Sequence, residues 1–167
     1  EADDLHKLVK CGAFSSAQIF YNLLVPSAGA ALPANYPADD FRQLLDVALD
    51  NGVGSIGVRV LAGGALSGSE ARHPLGMQSV DPIGSETDYA TDVQRARQFL
   101  PLVEAGHAAS LPELAIRYVI SNPALSTTEI GIATLEELQQ ATAAVNKGPL
   151  SDDALAQIKS VQAGFAA

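Results

Sequence analysis

Cysteine is almost absent from this sequence: Cys11 is the only one in 167 residues. One thiol makes no internal disulfide and supplies no thiolate cluster for zinc, so a reducing cytosol is the expected location. Long apolar runs are missing too. No stretch approaches the ~20 residues that a membrane helix needs. The start, Glu1-Ala-Asp-Asp4, has neither the basic nor the apolar region of a secretory signal. It also lacks an initiator Met, so residue 1 is expected to be a cut point. Positive charge is scarce, with ten Lys and Arg against nineteen Asp and Glu and a net charge of −9. Nucleic acid and anionic membranes call for a basic face, and neither is expected as a partner. His6, His73 and His107 have no metal-ligand or triad spacing around them. There is no nucleophile elbow and no phosphate-binding P-loop. No metal site and no acid–base pair can be named from spacing.

What remains is a globular composition, 47% hydrophobic and 17% charged. Leu5, Leu8 and Val9 are spaced for a short amphipathic helix that stops at Gly12. Ser16–Leu24 alternates and carries Ile19, Phe20 and Tyr21, which predicts a strand. Three prolines and Gly29 exclude regular structure over Val25–Pro37. Asp39 or Asp40 opens a helix with Phe41, Leu44, Leu45 and Ala48 on one face, ended by Asn51-Gly52. Ser55–Leu61 predicts a second strand. The Gly-, Ser- and Pro-rich stretch Ala62–Thr87 is a loop long enough to be functional or mobile. Asp88 caps a helix carrying Tyr89, Val93, Phe99, Leu100 and Val103. Ser110-x-x-Glu113 and Thr134-x-x-Glu137 are capping boxes on either side of a third strand, Thr128–Ala133. Lys147-Gly148-Pro149 ends a helix, and Ser151 opens the last one.

Gly52-Val-Gly54-Ser-Ile-Gly57 matches the letters of a dinucleotide fingerprint, but that fingerprint follows a strand and opens a helix. Here the order is reversed, and the glycines more simply end a helix and let a strand pack closely. Strands alternating with helices mean parallel pairing through right-handed crossovers. A sheet of three parallel strands leaves two open edges and a poorly covered face. That is the expectation for a piece of something larger, such as a closed β/α barrel.

Gln18-Ile-Phe-Tyr-Asn22, the stretch Gly52–Gly68, and Ile130-Gly-Ile-Ala-Thr-Leu-Glu-Glu-Leu138 together resemble the C-terminal half of a nicotinamide-dependent aldo/keto reductase. The likeness extends to Asn146-Lys-Gly-Pro-Leu-Ser151 before the terminal helix. It implies one partial domain over residues 1–167: the C-terminal half of a (β/α)8 barrel, with about three parallel strands, interleaved helices, a C-terminal helix and a cofactor-side loop at 62–87. In such barrels function sits at the C-terminal ends of the strands. By resemblance, Gln18 contacts the nicotinamide carboxamide, and Val58 stands where family members often stack an aromatic ring. Arg59, Leu61, Gly63 and Ser67 line the pyrophosphate loop, whose Gly63-Gly64 and Ser67-Gly68 backbone is expected to offer N–H donors. Gly131, Ala133, Thr134, Glu137 and Gln140 surround the adenosine end, where the following helix presents its N-terminus to phosphate. The implied cofactor is NAD or NADP. Glu137 stands where NADP-preferring members often place Arg or Gln, and a carboxylate repels a 2′-phosphate, so the lean is to NAD. A capping-box role explains Glu137 equally well.

The family's catalytic Tyr, Asp, Lys and His come from its first four strands, and no residue here matches them. The resemblance therefore implies an oxidoreductase fragment that carries the cofactor-binding half and is inactive alone. The intact protein would transfer hydride between nicotinamide and an aldehyde, sugar lactol or ketone. Whether the fragment binds the cofactor by itself stays open. A non-catalytic half-barrel that acts by self-association or binding is the alternative, with a homodimer or a complementing N-terminal half as the expected partner. A third reading is an unrelated small α/β enzyme with its site in Ala62–Thr87.

Overall fold

Parallel pairing joins three short strands into one open sheet in the order β1-β2-β3, with β1 at Ser16–Phe20, β2 at Gly54–Val58 and β3 at Thr127–Thr128. The computed structural model describes residues 2–82 and 85–166. Seven helices accompany the sheet in this description: α1 (Ala2–Lys10), α2 (Leu44–Asp50), α3 (Tyr89–Arg97), α4 (Leu100–Glu104), α5 (Leu111–Ile120), α6 (Leu135–Asn146) and α7 (Asp152–Ala163). A 3-10 segment, Ala62–Ser67, follows β2. None of the described helices is long and apolar enough to cross a membrane.

Alternation along a strand sorts its side chains between two faces. Ile19, Ser55 and Gly57 are buried toward the helices, whereas Gln18, Phe20, Ile56 and Val58 share the opposite, more open face. Ser16 pairs with Gly54 and Phe20 with Val58, so Gln18 and Val58 lie one diagonal step apart. Gly57 is needed for packing, because a Cβ there would lie 3.0 Å from Leu125 Cδ1. On the helical side Leu23, Leu45, Phe99, Leu102, Leu114 and Ile158 are completely or almost completely buried. At roughly 25 cal/mol per Å2 of apolar area removed from water, such side chains stabilise the fold by about 1.5–3 kcal/mol each.

Local capping signals are realised. The Thr134 hydroxyl accepts from Glu137 N while the Glu137 carboxylate accepts from Thr134 N, a complete capping box. The Ser110 and Ser151 hydroxyls cap α5 and α7 by accepting from Glu113 N and Ala154 N, the serine half of the box at Ser110. Asp88 caps α3 through Thr91 N.

Four expectations need correcting. The strands are shorter than their apolar runs, because Arg59 adopts a left-handed φ of 59° and ends β2 at Val58. With no partner beyond that point, Ile130–Ala133 adds nothing to β3, and the chain after Phe20 turns through Asn22 instead of extending to Leu24. α2 begins at Leu44, not at Asp39 or Asp40, because Arg42 and Gln43 are both left-handed and Gln43 N donates to Ser27 O. The helix after Asp88 is two helices, broken before Pro101, which cannot donate to the preceding turn. The loop at 62–87 opens with six residues of 3-10 helix, and its residues 83 and 84 lie outside the described residues.

Candidate functional site

Beyond the C-terminal ends of β1 and β2, one buried amide joins the two connections. Asn22 Nδ2 donates to Arg59 O at 3.0 Å, and Asn22 Oδ1 accepts from Leu24 N at 2.8 Å and Val25 N at 2.9 Å. The side chain is 1% exposed. It holds Arg59 in the left-handed region, where a non-glycine residue costs roughly 1–2 kcal/mol. Ala62, at φ 49°, is held there as well. Strain of this kind persists only where the surroundings impose it, and it clusters at functional sites.

The 3-10 segment then turns back through Gly63 (φ 66°) and Gly64 (φ 104°). A Cβ on Gly63 would lie 2.7 Å from Val80 Cγ1, so only glycine allows the stretch 69–82 to cross so closely. That stretch, with Gly68 before it, forms a strap with three fastenings. Tyr89 OH donates to Ser69 O, Arg97 Nε donates to Gly68 O, and the Arg72 guanidinium lies 4.9 Å over the Tyr89 ring. Under the strap, Arg59, Gly63, Val80, Asp81, Ser85 and Asp92 line a cleft of only about 10 Å3, room for one water. Asp92 is buried beside it and accepts from Ser85 Oγ at 2.9 Å and Thr87 Oγ1 at 2.7 Å.

Arg59 and Gly63 thus share one cleft, and Gln18 and Val58 share the open face of the sheet below. Ser67 is exposed, and its hydroxyl accepts from Ser69 N. Leu61 is half-buried against the core. Gly131, Glu137 and Gln140 are exposed around the start of α6, with Ala133 and Thr134 partly covered. Gln140 donates to Glu136.

Some of the backbone donors around the turn and the start of α6 are engaged. Gly64 N donates to Leu61 O and Gly68 N to Ala65 O, closing the loop's own turns. Ala133 N and Thr134 N both donate to the Glu137 carboxylate, at 2.6 and 3.3 Å. Sequence reasoning counted the Gly64 and Gly68 N–H groups as available because it sees positions and not partners. It also passed over Arg72, although this is the only Lys or Arg between residues 62 and 87.

Three phenols are structural. Burial pushes the hydroxyls of Tyr21, Tyr36 and Tyr118 upward. Tyr21 stacks on Tyr118 with centroids 5.3 Å apart, and Tyr36 OH donates to Leu24 O. No group of three or more His, Cys, Asp or Glu suited to a metal occurs among the described residues.

Comparison with known proteins agrees with this architecture. The model of the aldo/keto reductase family matches residues 2–163. The chain belongs to that family. The fold is shared with the aldo-keto reductase AKR11C1 from Bacillus halodurans. Its holo form superposes with a TM-score of 0.62 at 15% identity, covering 96% of this chain and 46% of that one. Its apo form gives a TM-score of 0.59 at 17% identity over 96% and 47%. This chain therefore spans about half the length of these aldo/keto reductases. No protein of curated function matches it.

Proposed function

We propose that this chain is the cofactor-binding half of an oxidoreductase and holds the diphosphate and adenosine of a nicotinamide dinucleotide. The observation that carries this reading is the strained, glycine-built turn Arg59–Gly68 at the C-terminal ends of parallel strands, where β/α barrels place function. Gln18 and Val58 then flank the nicotinamide on the open sheet face. Arg59, Leu61, Gly63 and Ser67 line the diphosphate, and Gly131, Ala133, Thr134, Glu137 and Gln140 lie around the adenosine.

The residues fit this group at the diphosphate. Gly63 and Gly64 remove side chains from the turn, and Arg72 Nη1 is a buried donor with no hydrogen-bond partner. A 2′-phosphate fits less well, because the Glu137 carboxylate stands at the start of α6 and already accepts from Ala133 N and Thr134 N just before it. The proposal is therefore NAD before NADP. Bound nicotinamide would exchange hydride with an aldehyde, sugar lactol or ketone. The chain's own part is to grip and orient the dinucleotide, and its partner half would supply the proton-transferring groups.

A second reading, a half-barrel acting by association, draws on a different observation. Large apolar side chains are exposed at Leu8 on α1, Phe14 just before β1, and Leu135, Leu138 and Val145 along α6, while β1 and β3 are the open edges of the sheet. A second copy or a complementing half with parallel strands would cover the open edges, and sedimentation of the chain as a plain monomer at micromolar concentration argues against self-association.

Titration of NADH and NADPH followed by their own fluorescence tests the leading reading. Saturable NADH binding, tighter than NADPH, is the expected result. A folded chain that binds neither would sink it.

A further inference from the structure

We propose that Arg72 is the anion seat of this site and that its guanidinium takes a diphosphate oxygen at Nη1. The inference rests on the nucleotide reading above and assigns its charge to one residue. Arg72 is positioned by two contacts, the second of them anchored in turn. Its Nε donates to Met77 O at 2.6 Å, its guanidinium lies over the Tyr89 ring, and Tyr89 is itself tied to Ser69 O. Nη1 is buried and has no hydrogen-bond partner, and no carboxylate forms an ion pair with Arg72 among the described residues. Buried donors of folded proteins are nearly always paired, and an unpaired one calls for a functional explanation. The tyrosine ring offsets part of the charge but accepts no in-plane hydrogen bond from Nη1.

Several backbone donors around the turn and the start of α6 are in use. Gly64 N and Gly68 N close their own turns, and Ala133 N and Thr134 N serve Glu137. Gly64 matters on the other side of the guanidinium. At φ 104° it disfavours any side chain, and a Cβ there would come within 3.7 Å of Nη1 and 3.2 Å of Tyr89 Oη. The glycine thus keeps the approach to Nη1 clear of protein from the loop side. A planar fork with one nitrogen lacking an acceptor is suited to phosphoryl oxygen, which guanidinium binds with charge-assisted hydrogen bonds. Because Nη1 is buried, docking requires the covering part of the loop to move off it.

The test is calorimetric titration of the chain with inorganic pyrophosphate, ADP and NADH in low salt. Arg72→Met, Arg72→Lys and a control, Arg42→Met, are compared with the unaltered chain, each checked for folding by thermal melting. Arg42 is exposed and paired with Asp3, far from the strap in sequence. Losing a hydrogen bond to a charged group predicts about a tenfold or greater loss of pyrophosphate and ADP affinity in Arg72→Met. A smaller loss is expected in Arg72→Lys, and none in Arg42→Met. If NADH binds the unaltered chain and Arg72→Met equally, the seat is wrong and the cofactor reading stands. If pyrophosphate binds through Arg72 and NADH does not bind, the seat stands and the cofactor reading falls. If the unaltered chain binds none of the three, both fall. Should Arg72→Met fail to fold, Arg72→Lys decides: affinity equal to that of the unaltered chain overturns recognition by the fork.

Discussion

Replacing Asn22 with Ala removes one side chain and strands three backbone groups. The amides of Leu24 and Val25 lose their acceptor, and the carbonyl of Arg59 loses its donor. Each buried group left unsatisfied costs about 1–3 kcal/mol. Water entering the space left by the amide recovers part of that, so the net loss is placed at about 3–5 kcal/mol, within the range of severe point mutations. For a chain of this size a loss of 1 kcal/mol lowers Tm by roughly 2–4 °C, which predicts a fall of about 6–20 °C. Urea unfolding should show the same loss with an unchanged slope. Asn22→Asp keeps the acceptor but sets a carboxylate against Arg59 O, so it should destabilise by a similar amount near neutral pH and recover in acid as that carboxyl protonates. If Asn22→Ala melts within about 2 °C of the parent, Asn22 does not hold Arg59 in its left-handed turn, and the account of why β2 stops at Val58 fails with it.

Glu137→Gln keeps the capping geometry, since glutamine fills the same role, but removes the charge beside the α6 N-terminus. At 4–6 Å in solvent that charge is worth about 1 kcal/mol or less. The ratio of NADPH to NADH affinity should therefore rise about three- to fivefold, and a ratio that does not move would leave Glu137 a cap and nothing more. Glu113 makes a pH prediction. Partial burial pushes its carboxyl up, but the Lys147 ammonium at 2.7 Å, with Ala109 N and Arg117, outweighs burial and leaves it below the ordinary value of 4.5. A carboxyl lowered in the folded state stabilises above its unfolded value, and the contribution is lost as pH falls through the folded one. Glu113→Gln should thus melt below the parent near pH 7 and converge with it as pH falls well below the ordinary carboxyl value of 4.5. A gap constant across that range would refute the assignment.

Elements governed by neighbours in sequence were legible. The Thr134 and Ser110 caps and the Gly12 and Gly52 stops follow from a few adjacent residues. The strand ends were not legible, because β2 stops where Asn22, thirty-seven residues away, fixes the Arg59 carbonyl. The start of α2 was hidden for the same reason, since Ser27 and Ala28 accept from Gln43 and Leu45 and set where the helix begins. At the site, the sequence located the glycine turn and the α6 terminus. Which donors remain free depends on pairing that a linear reading does not contain. Arg72 was visible as the lone strong cation of a long loop, and it becomes informative only once its Nη1 is seen without a partner.

The order β1-β2-β3 also constrains any assembly of identical copies. Its two edges are unlike, so joining the β3 edge of one copy to the β1 edge of the next is a head-to-tail contact, which closes into a ring only if the rotation allows it. A β/α barrel closes at eight strands, and three do not divide eight. Two copies fall short of closure and three overshoot it. Copies joined this way would extend as a ribbon, and growth would stop only where a different chain completes the count.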